Sequence, residues 1–504
     1  MMEWFREKFI LLESLTDAEA KKDNLAEIKI KLTSFTSEEL KQVATDLDLS
    51  LIFSELTSND KEIMMQACDV LDTLFDATEP GRIHRRYSDE MKSSMSLQQS
   101  TVKILILREL LRIASKPENI HSLISDTDLL MVIVDKVADE DIAVAKLAMD
   151  VLKEIGSSNE GLKVFYAGPI MRMFARMLSK NDTISFRIYE TVVNISKSSK
   201  EGLEASINSG FLSSLITVLE NDDILLQLNA LEIMTDLALT PEGLDFLEHQ
   251  DILCKLSEKI ERANENPLST ILIPGLMKFF GNVACVRPNE IFSNYPTVVS
   301  ALFEVLESDD PTILSGALDT LGHVASTVEG KYALQTLGEP IFNALKRVAE
   351  VIQRMPTEIR IRGLNNLALI LQVKREEQDN RILSLTKSWF DSLKDNPLDM
   401  IVSLCKQPFA DIRQASLEVL AVIASQAWGQ EYIAVQPGLI EFLLDRNVEA
   451  FKECKEAKYE VVKTLSQSVA DIFDAHTIQR MKQFIKEGPL YRDTNTEVAT
   501  EGAS

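Results

Sequence analysis

Apolar side chains recur along this chain at the three- and four-residue spacing of amphipathic helices, with polar and charged residues between them. The blocks also resemble one another. Segments 146–155, 186–195 and 228–237 align without gaps, and each leads to the same signature: Glu160-Gly161-Leu162, Glu201-Gly202-Leu203 and Glu242-Gly243-Leu244, a step of 41 residues. A further copy at 317–325 leads to Glu329-Gly330, and a degenerate copy at 275–284 fills the gap before it. Extending the register outward gives nine copies, with a reference position at 69, 108, 150, 190, 232, 278, 319, 365 and 418. A period near 40 residues is that of armadillo and HEAT units, which bury their apolar faces only by stacking on one another.

The joints between helices support this reading. Asn181-Asp182, Asn221-Asp222-Asp223 and Asp309-Asp310-Pro311 place side-chain oxygens and negative charge where a helix begins with free backbone N–H groups. Ala167-Gly168-Pro169-Ile170, Ser209-Gly210-Phe211-Leu212 and Gln436-Pro437-Gly438-Leu439-Ile440 each break the chain before an apolar helix. A short helix, a break, a second helix and a longer third helix make up an armadillo unit. The expected fold is therefore all-α, an armadillo/HEAT-like superhelix or α-solenoid. Residues 1–56 are read as an N-terminal helical cap, 57–487 as a solenoid of about nine units, and 488–504 as a disordered polar tail after a last helix near Thr477 to Lys486.

Composition agrees with a helical stack. Gly and Pro number 18 and 15, about half of average usage, roughly 7% and 5%, and too few for a turn-rich sandwich or barrel. Lys and Arg number 53 against 78 Asp and Glu, a net charge of −25. So acidic a chain argues against nucleic-acid binding, which needs a basic face to displace counterions. The most apolar long stretch, 271–286, is interrupted by Pro274-Gly275 and Lys278, so no membrane span is expected. Five scattered cysteines without a Cys-x-x-Cys pair, and a charged start without a cleavage site, fit the cytoplasm, with the nucleus as a second compartment.

No catalytic motif is present: neither a phosphate loop, a dinucleotide fingerprint, a zinc-protease motif nor a nucleophile elbow occurs, and the five histidines are isolated. The chain is read as a non-enzyme without metal or cofactor. The cysteines are taken as buried packing residues. The basic cluster Arg82, His84, Arg85 and Arg86 could hold a phosphate or an acidic partner segment, but is taken as a solvated turn.

The third helix of an armadillo unit lines the inside of the superhelix, and the reference positions face that groove. They read Asp69, Arg108, Asp150, Glu190, Glu232, Lys278, Asp319, Asn365 and Glu418, six of nine acidic. One turn later on the same face come Thr73, Arg112, Glu154, Asn194, Asp236, Asn282 and His323. The candidate partner-binding residues are therefore Asp150, Glu190, Asn194, Glu232, Asp236, Lys278, Asn282, Asp319 and His323. Either any exposed helix face in so acidic a chain reads this way, or the stripe is a groove that holds a partner surface bearing Lys and Arg.

Several blocks narrow the family. Residues 272–282, Ser388-Trp389-Phe390-Asp391-Ser392-Leu393, Asn396-Pro397-Leu398, Gln407-Pro408-Phe409, 457–463 and Glu487-Gly488-Pro489-Leu490-Tyr491 resemble, in order, the non-ATPase regulatory subunit 5 family of the 26S proteasome. The resemblance covers nearly the whole chain, with the first sixty residues matching least. It implies an assembly chaperone of the regulatory-particle base. Such a chaperone binds the C-terminal domain of one AAA ATPase subunit, beside a second ATPase and a large non-ATPase scaffold subunit, and is absent from the finished particle. No site residues carry over from it. The alternative reading is an armadillo-type adaptor or transport receptor for a basic peptide or protein. Such receptors present Trp and Asn at the two groove positions; here Trp is at neither, and Asn holds the second only at Asn194 and Asn282.

Overall fold

The computed structural model describes residues 2–262, 269–468 and 472–491. Among these it contains 32 α-helices and no strand, an all-α helical-repeat fold. Contacts divide the chain into two units, residues 1–243 and 244–504. In the first, the long helices Lys61–Ala77, Ser100–Ala114, Ile142–Gly156, Asp182–Ser198 and Ile224–Leu237 each pack on the next. In the second the same is true of Ile273–Val286, Pro311–Val324, Thr357–Leu371, Ala410–Ala424 and Lys452–Leu465. Nine of these ten long helices each carry one reference position. The last described helix is Ala475–Glu487; of the tail expected at 488–504, residues 492–504 lie outside the described residues.

One helix shows how the pattern becomes packing. In Ile142–Gly156, Val144, Ala148, Val151 and Ile155 form one buried row with Ala145 and Leu152 beside it, while Lys146 faces solvent. Each fully buried Val, Leu or Ile contributes about 1.5–3 kcal/mol, and Leu152→Ala would cost about 2–5 kcal/mol by leaving a cavity between helices. The helix starts where Asp141 accepts a hydrogen bond from the Ala143 N–H. The predicted caps are present: Asn181 accepts from Ile184, Asp223 from Leu225 and Leu226, and Asp310 from Thr312.

The repeated Glu-Gly-Leu signature has a packing cause, and it lies in the glycine. A Cβ on Gly161 would sit 1.9 Å from the Ile155 carbonyl oxygen, and one on Gly330 1.9 Å from that of Val324. The chain leaves each long helix so tightly that the next helix starts against its last carbonyl. The same glycine N–H donates to a cap hydroxyl three residues back, Ser158 for Gly161 and Thr327 for Gly330. The glutamates of the signature are exposed. The breaks before the second helices are glycines in the left-handed region: Gly168, Gly210 and Gly438 have φ of 60°, 83° and 69°.

Arginines supply a second recurrent device. Arg187 donates to the carbonyls of Val137 and Asp139, Arg347 to those of Leu306 and Ser308, and Arg446 to those of Phe484 and Gly488. Each guanidinium fills carbonyls left open where a neighbouring helix ends, at the negative pole of its dipole.

Two expectations require correction. The basic cluster is not a turn: it opens the helix Arg82–Met95, launched by left-handed Gly81, which turns His84 inward until it is 95% buried. Burial holds the His84 imidazole below its usual pKa. The cysteines are not uniformly buried either, since Cys254 is exposed and Cys285 half-buried.

Candidate partner-binding site

The predicted residues lie on the solvent-facing side of the long-helix layer, and each unit holds its own part of them. In the first unit, Asp150, Glu190 and Asp236 sit on consecutive helices. Lys197 reaches Asp236 at 3.3 Å. Glu190 has no ion pair among the described residues. Glu190 is exposed, yet desolvation by its surroundings, and then the charges of Asp236 and Asp150, hold its carboxyl above the usual carboxylate range. Like charges at short range disfavour ionisation. Glu190 therefore sits beside two other carboxylates, where a partner cation would favour its charged form. Glu232 and Asn194 flank it on the same helices, exposed and half-buried.

In the second unit, Lys278, Asn282, Asp319 and His323 come together as walls of one cleft of about 580 Å³ between the helices Ile273–Val286, Pro311–Val324 and Thr357–Leu371. Gly281 lets the first two of these helices approach closely. A Cβ on Gly281 would meet the Thr320 methyl at 2.9 Å. Asp319 is already engaged: Arg362 donates to it through Nε at 2.9 and 3.0 Å and lies 2.7 Å away through Nη2, and the Asn366 amide adds a bond at 2.8 Å. Asn282 turns back to donate to the Lys278 carbonyl at 2.9 Å. The Nε2 of His323 is buried without a hydrogen-bond partner, and burial lowers its pKa, so the ring is neutral at physiological pH.

The acids of the stripe thus differ in kind. Asp69 pairs with Lys29 at 2.6 Å, Asp236 with Lys197 and Asp319 with Arg362, whereas Asp150 and Glu190 have no such partner among the described residues. Arg362, Asn366 and Lys197 were missed from sequence. Arg362 stands three residues before reference position 365, on the same face one turn earlier, so reading the stripe backward as well as forward would have found it.

Among the described residues, no group of three His, Cys, Asp or Glu is placed to hold a metal ion, and no helix is long and apolar enough to cross a membrane. Burial pushes the Cys68 thiol up to about 12 and that of Cys285 to about 11, which keeps both protonated.

Comparison with known proteins gives this helical stack its family. The chain is 33% identical over 496 residues to the 26S proteasome non-ATPase regulatory subunit 5 of Homo sapiens, covering 98% of each chain. The Bos taurus protein of that name is 32% identical with the same coverage. The Drosophila melanogaster one is 29% identical over 75% of this chain and 73% of its own. The family model described as proteasome non-ATPase 26S subunit matches residues 1–504, and the chain belongs to that family.

Proposed function

We propose that this chain is a non-catalytic assembly chaperone of the base of the 26S proteasome regulatory particle. On this reading it holds the C-terminal domain of an AAA ATPase subunit, in company with a second ATPase and a large non-ATPase scaffold subunit, and leaves before the particle is complete. The observation that carries the reading is kinship along 98% of the chain to proteins named as a non-ATPase regulatory subunit. A helical-repeat stack is a suitable scaffold, because adjoining long helices present many side chains to a folded partner at once.

The grip is assigned to the long-helix layer, with residues 57–487 as the repeat stack and 1–56 as its cap. The acidic patch at Asp150, Glu190 and Asp236 would receive Lys and Arg of the partner. Work in the cytoplasm, with the nucleus as a second compartment, belongs to the same proposal. Affinity purification of the tagged chain from cells, followed by mass spectrometry, tests it. Proteasomal ATPase subunits recovered without the proteolytic core support the chaperone; basic cargo with transport factors in their place would overturn it and favour an adaptor.

A further inference from the structure

The cleft between the helices Ile273–Val286, Pro311–Val324 and Thr357–Leu371 has a chemistry opposite to that of the acidic patch. Its floor and walls are mostly apolar or small, with Pro274, Gly275, Gly316 and Leu369 among the lining residues. Its one acid is already engaged. Asp319, the one carboxylate in the lining, takes bonds from Arg362 and Asn366. The hydroxyls of Ser315 and Thr320 donate within their own helix, to Pro311 and Gly316. One charged donor edge stays open. Arg362 uses Nε and Nη2 on Asp319, and its Nη1 has no partner among the described residues, while about half of its side chain is exposed to solvent. An arginine oriented by one carboxylate and keeping spare N–H groups is prepared to bind a second acceptor.

We propose that this cleft is a binding site for a peptide segment carrying a carboxylate next to an aliphatic or aromatic side chain. The apolar side chain enters between Pro274, Gly316 and Leu369, and the carboxylate takes the free edge of Arg362. A carboxylate is favoured over a basic group because the free edge of Arg362 is a charged donor and the one acid of the lining is already paired. The cleft belongs to the second unit, whereas the acidic patch proposed to receive Lys and Arg of the ATPase subunit belongs to the first.

The test uses the full-length chain and three immobilised octapeptide libraries: one with free C-terminal carboxyl groups, one amidated, and one amidated with an internal Glu. Retention should select peptides with an apolar residue beside the carboxylate. Enrichment only in the first library identifies a chain terminus as ligand; enrichment in the third as well identifies any acidic residue. Gly316→Leu should abolish retention, since a Cβ at this position meets Pro274 at an ordinary 3.5 Å and the longer side chain then fills the cleft. Gly316→Ala should retain binding. Arg362→Lys should weaken it about tenfold, the loss of one charge-assisted bond. Circular dichroism and Tm verify that each variant is folded. Absence of enrichment, selection of basic peptides, or retention unchanged by Gly316→Leu would overturn the site, and each is independent of whether ATPase subunits are captured.

Discussion

Lys331 occupies the position at which other copies of the repeat carry a leucine, Leu162, Leu203 and Leu244. It is fully buried, its ammonium donates to the carbonyls of Ala325 and Leu369, and burial pulls its pKa from 10.5 down to about 7. Between those two values the unfolded chain holds the proton and the folded chain has released it. Stability therefore rises with pH across that window and falls as the solution is acidified toward 7. Lys331→Leu should flatten this dependence in urea titrations run from pH 7 to 10, and should raise stability at the low end. A slope unchanged by the substitution would mean that the lysine keeps its charge in the fold. Glu190 follows the same logic with the opposite charge. Its pKa is raised, so ionisation in the fold is disfavoured, and Glu190→Gln should raise Tm at neutral pH while weakening partner capture. If Tm and capture moved together, the idea of a charge kept for binding at a cost to stability would fail.

At the level of helices, the sequence showed the period, the caps and the glycine breaks, because each depends on residues near one another in the chain. It could not show what the signature glycine does, since the Cβ it avoids would collide with a carbonyl fixed only when one helix turns into the next. Two substitutions separate these roles. Gly330→Ala should cost about 1–3 kcal/mol or more from overpacking, whereas Gly316→Ala, inside a helix with ordinary contact distance ahead of it, should gain about 1 kcal/mol in helix propensity. Denaturant midpoints of the two variants should therefore shift in opposite directions; a shift in the same direction would refute the packing account. The arginine bridges were equally hidden. Arg187 and Val137 stand 50 residues apart, and nothing local marks an arginine as the filler of a distant helix end. The candidate site was half legible for the same reason. Its reference positions follow from the repeat, but the pairing of Asp319 with Arg362, 43 residues on, depends on the spacing of stacked helices.

For the whole molecule, of net charge −25, the repeat register places six acids at nine groove positions, interrupted by Arg108 and Lys278, and the structure distinguishes acids with cation partners from those without. Reversing Asp319 would set a lysine against Arg362 and damage the stack, so it is a poor probe of binding. Asp150 and Glu190 have no ion-pair partner among the described residues, and reversing them leaves the helix contacts alone. Capture through them should weaken as salt is raised, since exposed charges are screened over about 10 Å at 0.1 M. The most direct measurement of the central claim is quantitative recovery of proteasomal ATPase subunits on the tagged wild-type chain and on the D150K/E190K variant, with helical circular dichroism recorded for both. The account predicts that the wild type recovers ATPase subunits without the proteolytic core and that the variant loses them while its helical signal is unchanged. Equal recovery by both chains, or recovery of the complete particle, would contradict it.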